Sequence, residues 1–459
     1  HGHTGARLVA VVVHRAGDGP QHPRLCLVKV CPPGSSSPES ARHSAALDRS
    51  PPAFAAEHLV ALAFDPIACP DGTVLLGQEI AGAGLARLRP LSELAGVELP
   101  AVCATLLAAL LDEWTGDAFD LADPVPAATL LRRELRTEAT PEGELWQWGA
   151  ATGLLAPGCG WVSTAEDGVM PNPLAMAADP SAHPGPVLRY LTGRTHGDLH
   201  DDNVLVRRER TGALRPEQFR LVDLATFDHD GPLSRDVATL LLAVIARPAG
   251  DLPAGQQEAL LRHLVGADTS CVDELPPNLV RLVDAIGHAQ PHRGVATGWS
   301  DSWELQLLVS IQAAALRHTR YRSIGAAGRW WCLRLAGRVA GRLVPVPLTP
   351  TPAPLRLHPG MLDDQAPSGT VPPHTVAPHT TPPRVPPGPT APAPAGEALF
   401  LQAGAFQKPA DADNLKARLA LMGVEASVQQ VTLPEKGIMH RVRIGPYANP
   451  DEMAKARTL

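Results

Sequence analysis

The opening of the chain alternates apolar and polar positions in GARLVAVVVHR and again in RLCLVKV, with AGDGPQHP between them. Two β-branched runs joined by a Gly/Pro/Asp turn predict a hairpin. SPESARHSAAL starts with a Ser/Pro cap signal and predicts a helix. HLVALAFDPI and TVLLGQEIAG, split by CPDG, predict two further strands. Residues 1–90 therefore read as a small antiparallel sheet with one helix.

From Leu91 the period lengthens. LPAVCATLLAALLDEW, PGPVLRYLTGR and the stretch from Asp251 to Val344 place apolar residues at helical spacing. The exceptions are NVLVRRE and FRLVDLATF, which flank TGALRPEQ as a second hairpin. A strand-rich first part and a helix-rich second part, 91–344, make a two-lobed α+β layout. Residues 345–395 are dominated by proline and predict a semi-rigid spacer that cannot bury enough surface to fold. After it the order is ALFLQAGAF, ADADNLKARLALMG, EASVQQVTL, MHRVRIGPY and NPDEMAKARTL, a βαββα module over 396–459.

Composition narrows the picture. With 40 Lys plus Arg against 47 Asp plus Glu, the net charge of −7 opposes nucleic-acid binding by phosphate neutralisation. Lysine occurs at 29, 408, 416, 436 and 455, so the first 400 residues hold one lysine and arginine supplies the other basic charges. Seven scattered cysteines without a CxxC pair read as small buried residues in a reducing compartment. The apolar runs are too short for the ~20 residues of a membrane helix, and no signal peptide is visible. The chain starts at His1 rather than Met, which reads as a fragment or a processed product.

Candidate chemistry concentrates in THGDLHDDNVLV, Thr195 to Val206. Phosphoryl transfer needs a carboxylate to orient the acceptor, metal ligands, and donors for the phosphates. Asp198 and Asn203 are five apart on one loop, and Asp223 ends the next strand. HGDLHDDN followed by LVDLATFDHDGPLSRDVATLL resembles the catalytic and metal-binding segments of the aminoglycoside phosphotransferase and choline kinase-like families, which share the protein-kinase fold. The resemblance implies ATP and Mg2+ as cofactors, Asp198 as catalytic base, Asn203 and Asp223 as magnesium ligands, and His196 and Asp236 as supports of the loop. Lys29, in LCLVKV, stands where such kinases hold the nucleotide phosphates, and retention of a compact point charge in an arginine-rich segment agrees with that role. GHTGAR resembles the second half of a Gly-rich phosphate loop, with Gly2 and Gly5 as nucleotide-binding residues. The carboxylate partner of Lys29 is Glu39 or, less well placed, Glu57. The tryptophans of Leu130–Pro186 read as core, and the acceptor is open. His196 and His200 have HxxxH spacing but lie in a predicted loop without a third ligand at transition-metal spacing, so His200 reads as a loop and surface group.

The last module offers a second chemistry. Strand alternation puts Arg441 and Arg443 on one sheet face, with Val442 and Ile444 opposite, and Gln402 offers a hydrogen-bonding amide. FLQAGAFQKPADADNLKARLALMGVEASVQQV with HRVRIGPYANPDEMAKAR is similar to the SPOR domain of sporulation and cell-division proteins. That resemblance implies a ferredoxin-like sandwich that binds peptidoglycan glycan strands lacking stem peptides, at the division septum, through Gln402, Arg441 and Arg443. The closing strand usual in such domains is expected to be missing.

The two readings pull apart in location, because ATP chemistry is cytoplasmic and peptidoglycan lies in the envelope. The leading expectation is a phosphotransferase-like domain tied to a peptidoglycan-binding module. The alternatives are an envelope-binding protein with an idle kinase-like scaffold, and a join of two unrelated genes.

Overall fold

The structure, a computed structural model, describes residues 7–13, 24–31, 37–79, 88–94, 96, 98–116, 119–209, 211–266, 270–292, 300–350, 352–362, 399–406, 426–433 and 437–447, and single helical positions between 409 and 419. Gly2 and Gly5 lie outside the described residues. The chain divides into two units that meet at Leu362/Asp363, and each has mixed α and β content.

In the first unit β1 (Arg7–Val13), β2 (Arg24–Cys31), β3 (Ile67–Ala68) and β4 (Val74–Glu79) form an antiparallel sheet in the order β1-β2-β4-β3. Lys29 stands opposite Leu8 on one side and Leu76 on the other, in the middle of the sheet. Helix α1 (Ser37–Arg49) follows as expected, and a second helix, α2 (Pro52–His58), follows it. Here the sequence expectation of a strand through HLVALAFDPI fails: α2 runs to His58, Leu59 and Leu62 make isolated bridges, and pairing resumes only at Ile67. Aromatic packing explains the difference. Phe54 and His58, one helical turn apart, lay their rings on Trp114 and Phe219, at centroid distances of 5.3 and 4.0 Å. Burying those faces holds α2 as far as His58, and the run after it is left with isolated bridges.

The expected hairpin after the polar loop is present as Val204–Arg208 paired with Leu214–Leu221, extended by Leu88–Pro90. LTGRT, read as helical, is a strand at Leu191–Thr195 between Asp228–Pro232 and Asp120–Leu121. Two β-branched threonines around Gly193 suit a strand locally. A distant amide then clamps it: Gln306 accepts from Leu191 N and donates to Leu191 O, both at 2.8 Å. The core beneath is helical, built on Ser234–Asp251, Ser300–His318 and Gly325–Leu343, with Trp331, Leu240 and Val339 fully buried.

The spacer begins later than the proline content predicts. Leu355–Arg356 runs parallel to Val162–Ser163, Leu357 and Leu362 are buried, and Arg329 donates to Leu362 O at 2.8 Å. Three leucines in LRLHPGML supply the anchors that the preceding prolines lack, so the first unit reaches Leu362 rather than 344. Of the tryptophans expected to be core, Trp161 is buried and Trp148 packs on the core, whereas Trp146 is only half-buried.

The second unit is an antiparallel sheet in the order Leu399–Phe406, Gly437–Tyr447, Ala426–Leu433. Positions 412, 413, 415, 416 and 419 are helical, and Ala412 and Leu419 are buried. The described elements follow the expected order β, α, β, β; the final helix falls outside the described residues.

One crossing tests the packing. A Cβ on Gly250 would lie 2.4 Å from Gly328 N, so the Ser234–Asp251 and Gly325–Leu343 helices touch backbone to backbone. Ala is the better helix former by about 1 kcal/mol. Overpacking should reverse that sign here. Gly250→Ala is expected to lower stability by about 1–3 kcal/mol in urea unfolding at unchanged m-value; a gain would refute the close crossing.

Candidate functional site

The loop after Leu191–Thr195 is fixed by a carboxylate from another element. Asp236, in the first turn of the Ser234–Asp251 helix and 4% exposed, accepts from His196 N at 2.6 Å and Gly197 N at 2.9 Å. Burial pushes its carboxyl upward, opposed by His196 and by those two N–H groups. His196, fully buried, bonds Val222 O through Nε2 at 2.8 Å, and its carbonyl accepts from Thr226 Oγ1 at 2.8 Å. Gly197 at φ 83° presses against Thr226, whose oxygen would lie 2.3 Å from any Cβ. Only glycine meets both demands.

The loop then closes on itself. Asn203 Nδ2 donates to Asp198 O at 2.9 Å, Asn203 N to His200 O at 2.9 Å, and Val222 N to Asn203 O at 3.0 Å. The two strands that carry Asn203 and Asp223 are thus tied at their ends. Asp223 sits at φ 59°, ψ 61°, a left-handed conformation rare for an aspartate in a strand end, and it turns the carboxylate toward β2.

There it meets Lys29. Lys29 Nζ lies 2.5 Å from Glu39 Oε1 and 3.3 Å from Asp223 Oδ1. Burial alone would lower the ammonium; the charges of Asp223 and Glu39 more than offset it and raise the pKa from its ordinary 10.5. Asp223 mirrors this: burial pushes up, Lys29 and then His196 pull down, and the net is a carboxyl below its ordinary range. Its side chain keeps 45% exposure, so solvent screens part of the attraction. The partner of Lys29 is therefore Glu39; Glu57 lies 4.0 Å from His58 instead. Glu39 is also held by Cys31, whose Sγ donates to Oε2 at 3.8 Å and whose thiol is pushed up to about 11 by burial and by Glu39. Buried His43 bonds Val60 O at 2.9 Å, and Arg42 donates to Ala225 O at 3.2 Å, so α1 is anchored on both sides of Glu39.

The sequence reading missed Cys31, His43 and Thr226. Cys31 and His43 belong to no motif, Thr226 lies unmarked within LVDLATF, and each matters only through its partner. His200 corrects another expectation: its side chain is 27% exposed, burial lowers its pKa, and its ligand atom lies within 4.8 Å of those of Asp201 and Asp202. His200 stays in the loop as expected, where its Nδ1 accepts from Asp202 N at 3.3 Å.

The donor set suits a hard divalent cation, which takes oxygen ligands. Asn203 spends its nitrogen on Asp198 O and Asp223 spends Oδ1 on Lys29, which leaves one oxygen of each for a cation.

In the second unit the central strand sets a polar face. Arg441 stands opposite Gln429 and Ala405, and Arg443 opposite Ser427 and Gln402. Val442 between them is fully buried. A Cβ on Gly404 would lie 2.8 Å from Leu415 Cδ2, so a glycine in the edge strand lets the helix pack onto the sheet. Residues 395–459 match the family model of the SPOR domain. The SPOR domain is known for peptidoglycan binding, and its presence points to the cell envelope and septum. In this SPOR domain the register adds Ser427 and Gln429, both exposed, to the rows that hold Arg441 and Arg443. A period-2 reading of one strand could not supply them, because their neighbours are set by pairing. No curated protein matches the chain.

Two outcomes follow for the loop. Asp236→Ala should cost roughly 2 kcal/mol or more, because two buried N–H groups lose their acceptor, and Asp236→Asn less. Amide exchange at His196 and Gly197 should rise in the same order; unchanged exchange would remove Asp236 from this role. The charge cluster predicts a pH dependence. Because the folded Asp223 carboxyl titrates below its unfolded value of about 4, its contribution is present above that pH and lost as pH falls through the folded value. The Lys29 contribution is present at neutral pH and lost only as pH rises through its raised folded value. Asp223→Asn should flatten the acid limb of a stability-against-pH curve; an unaltered limb would show that Lys29 does not hold this carboxylate.

Proposed function

We propose that the chain is a peptidoglycan-binding protein whose first unit is an ATP- and magnesium-dependent phosphotransferase of the protein-kinase-like, two-lobed kind. The observation that carries the enzymatic half is the Lys29–Glu39–Asp223 cluster. The one lysine in 400 residues is bonded to a helix glutamate and to the strand-end aspartate that the loop motif singles out. A solvated strand lysine would not be 12% exposed between two carboxylates.

In this reading Lys29, held straight by Glu39, receives the nucleotide phosphates as a point charge. Asn203 and Asp223 would hold the cation, which would neutralise charge on those phosphates. Asp198 takes the role of base: its backbone is pinned by Asn203 and by the His196 turn, while its carboxylate orients an acceptor hydroxyl and receives its proton. His196 and Asp236 keep the loop in register and touch no reactant. Gly2 and Gly5 would cover the phosphates as part of a glycine-rich loop. The acceptor oxygen would form a bond to the γ-phosphorus as the bond from that phosphorus to the bridging β-phosphate oxygen breaks, so that the nucleoside diphosphate leaves and the hydroxyl proton passes to Asp198.

The SPOR half rests on the family match and on the polar sheet face. Arg441, Arg443 and Gln402, with Ser427 and Gln429, would donate hydrogen bonds to sugar hydroxyls of glycan strands. An idle scaffold is the competing reading, and nucleotide binding separates the two.

With the full chain, Mg2+ and ATP at about 100 times the dissociation constant should add roughly 2.7 kcal/mol and raise the melting temperature by a few degrees. Asp223→Ala should abolish the rise; a rise that survives it, or none in the native chain, would sink the assignment. Co-sedimentation with purified sacculi should fall at least tenfold in an Arg441→Glu, Arg443→Glu double variant that keeps its circular dichroism. Equal sedimentation would move the glycan site off this face.

A further inference from the structure

Among the described residues two non-glycines have positive φ: Asp223, in the cluster above, and Arg136, at φ 52°, ψ −127°. That region is close to glycine-only, so holding an arginine there strains the backbone. Such strain persists where surrounding contacts over-determine it. Those contacts are a convergence of guanidinium groups at the end of the Ala127–Leu135 helix.

Arg136 Nη1 donates to Thr226 O at 3.3 Å, and Thr226 Oγ1 holds His196 O, two residues before Asp198. Its Nη2 lies 3.1 Å from Asp228 Oδ2. Arg235, 3% exposed, reaches the same oxygen from the other side: its Nη1 is 3.7 Å away and has no hydrogen-bond partner, while Nε is spent on Glu134 at 2.7 Å. Glu134 gives its other oxygen to Ser310 at 2.9 Å. Arg317 donates to the Glu134 backbone carbonyl and so leaves its charge uncompensated by that contact. Three guanidiniums thus meet two carboxylates, and the buried Nη1 of Arg235 is an orphaned donor. Crowding shows on Arg136, pushed down to about 10 by burial and then by the charges of Arg235 and Arg317. Through Thr226, which accepts from Arg136 and donates to His196 O, the cluster is tied to the loop that carries Asp198.

We propose that Arg136, Arg235 and Arg317 form a subsite for an anionic group, a carboxylate or phosphate, carried by the hydroxyl compound on which Asp198 acts. The substrate class rests on the phosphotransferase reading, while the anion site itself does not. An orphaned buried donor and a guanidinium crowded by like charges beside it are both offset when an anion's oxygens accept from them, since charge-assisted bonds to guanidinium are the strong ones. Arg136 is 29% exposed and provides the approach. A cationic acceptor would meet net positive charge and be refused.

The test uses the full chain and inorganic phosphate, with affinity read by calorimetry. Arg136→Gly removes the guanidinium at a position whose backbone suits glycine, so the fold should hold or gain stability while phosphate affinity falls at least tenfold. Arg317→Met should lower it in parallel. Lys29→Met serves as the separating arm, because it should abolish Mg·ATP binding and change phosphate affinity less than twofold. Phosphate affinity unchanged in Arg136→Gly, or absent in the native chain at tens of millimolar, overturns the subsite. Phosphate lost in Lys29→Met instead would put the anion in the nucleotide site and also overturn it. Arginine-dependent phosphate binding without any Mg·ATP binding would keep the subsite and discard the phosphotransferase reading.

Discussion

One buried carboxylate orders the centre of the first unit. Asp236 is placed at a helix start, where the macrodipole favours negative charge, and it has no solvent to satisfy it. It therefore accepts from the His196 and Gly197 amides, and the chain before the loop has no other course than past it. From that fixed point the rest propagates through short links: His196 to Val222, Thr226 to His196, Asn203 to Asp198. Satisfying buried backbone donors is the constraint, and the polar motif is its consequence.

The same economy explains why so many charges lie inside. Arg334 and Arg338 share Asp167 and Glu258, with Arg334 making two bonds to Asp167 at 2.7 and 2.9 Å. These groups join the Gly325–Leu343 helix to the hairpin at Trp161–Pro171 and to Ala254–Leu264. Removing one partner from such a network would leave a buried charge uncompensated, which costs more than the network contributes. By contrast, the Lys29 cluster is half open at Asp223, and the Arg136 cluster is half open at its guanidinium. Charges that are closed read as architecture; charges that remain approachable read as sites. Strain makes the same division, since both described non-glycine residues at positive φ lie in the open clusters.

Two recognition surfaces in one chain call for no shared geometry. The SPOR domain builds its face from strand register alone, with small and polar residues opposite two arginines and a glycine that admits the helix on the other side. The first unit instead gathers its charged clusters from strands, helices and loops far apart in sequence.

The sequence by itself determined the α+β content, the first hairpin and α1, the hairpin after the polar loop, the SPOR domain and the order of its elements, and the closeness of Asp198 and Asn203 on one loop. These rest on local periodicity, turn residues and close spacing, which short-range physics controls. Tertiary structure alone decided that the strand expected over His58–Ile67 is reduced to isolated bridges, that LTGRT pairs as a strand under Gln306, and that Leu355–Leu362 packs back among flanking prolines; it also selected Glu39, the better placed of two candidates, as the partner of Lys29. It also decided that Arg136, Arg235 and Arg317, unremarked as single arginines, converge. In every one of these the decisive partner lies many residues away, and a hydrogen bond or ring contact formed only on packing outweighs a local preference worth a fraction of a kcal/mol per residue.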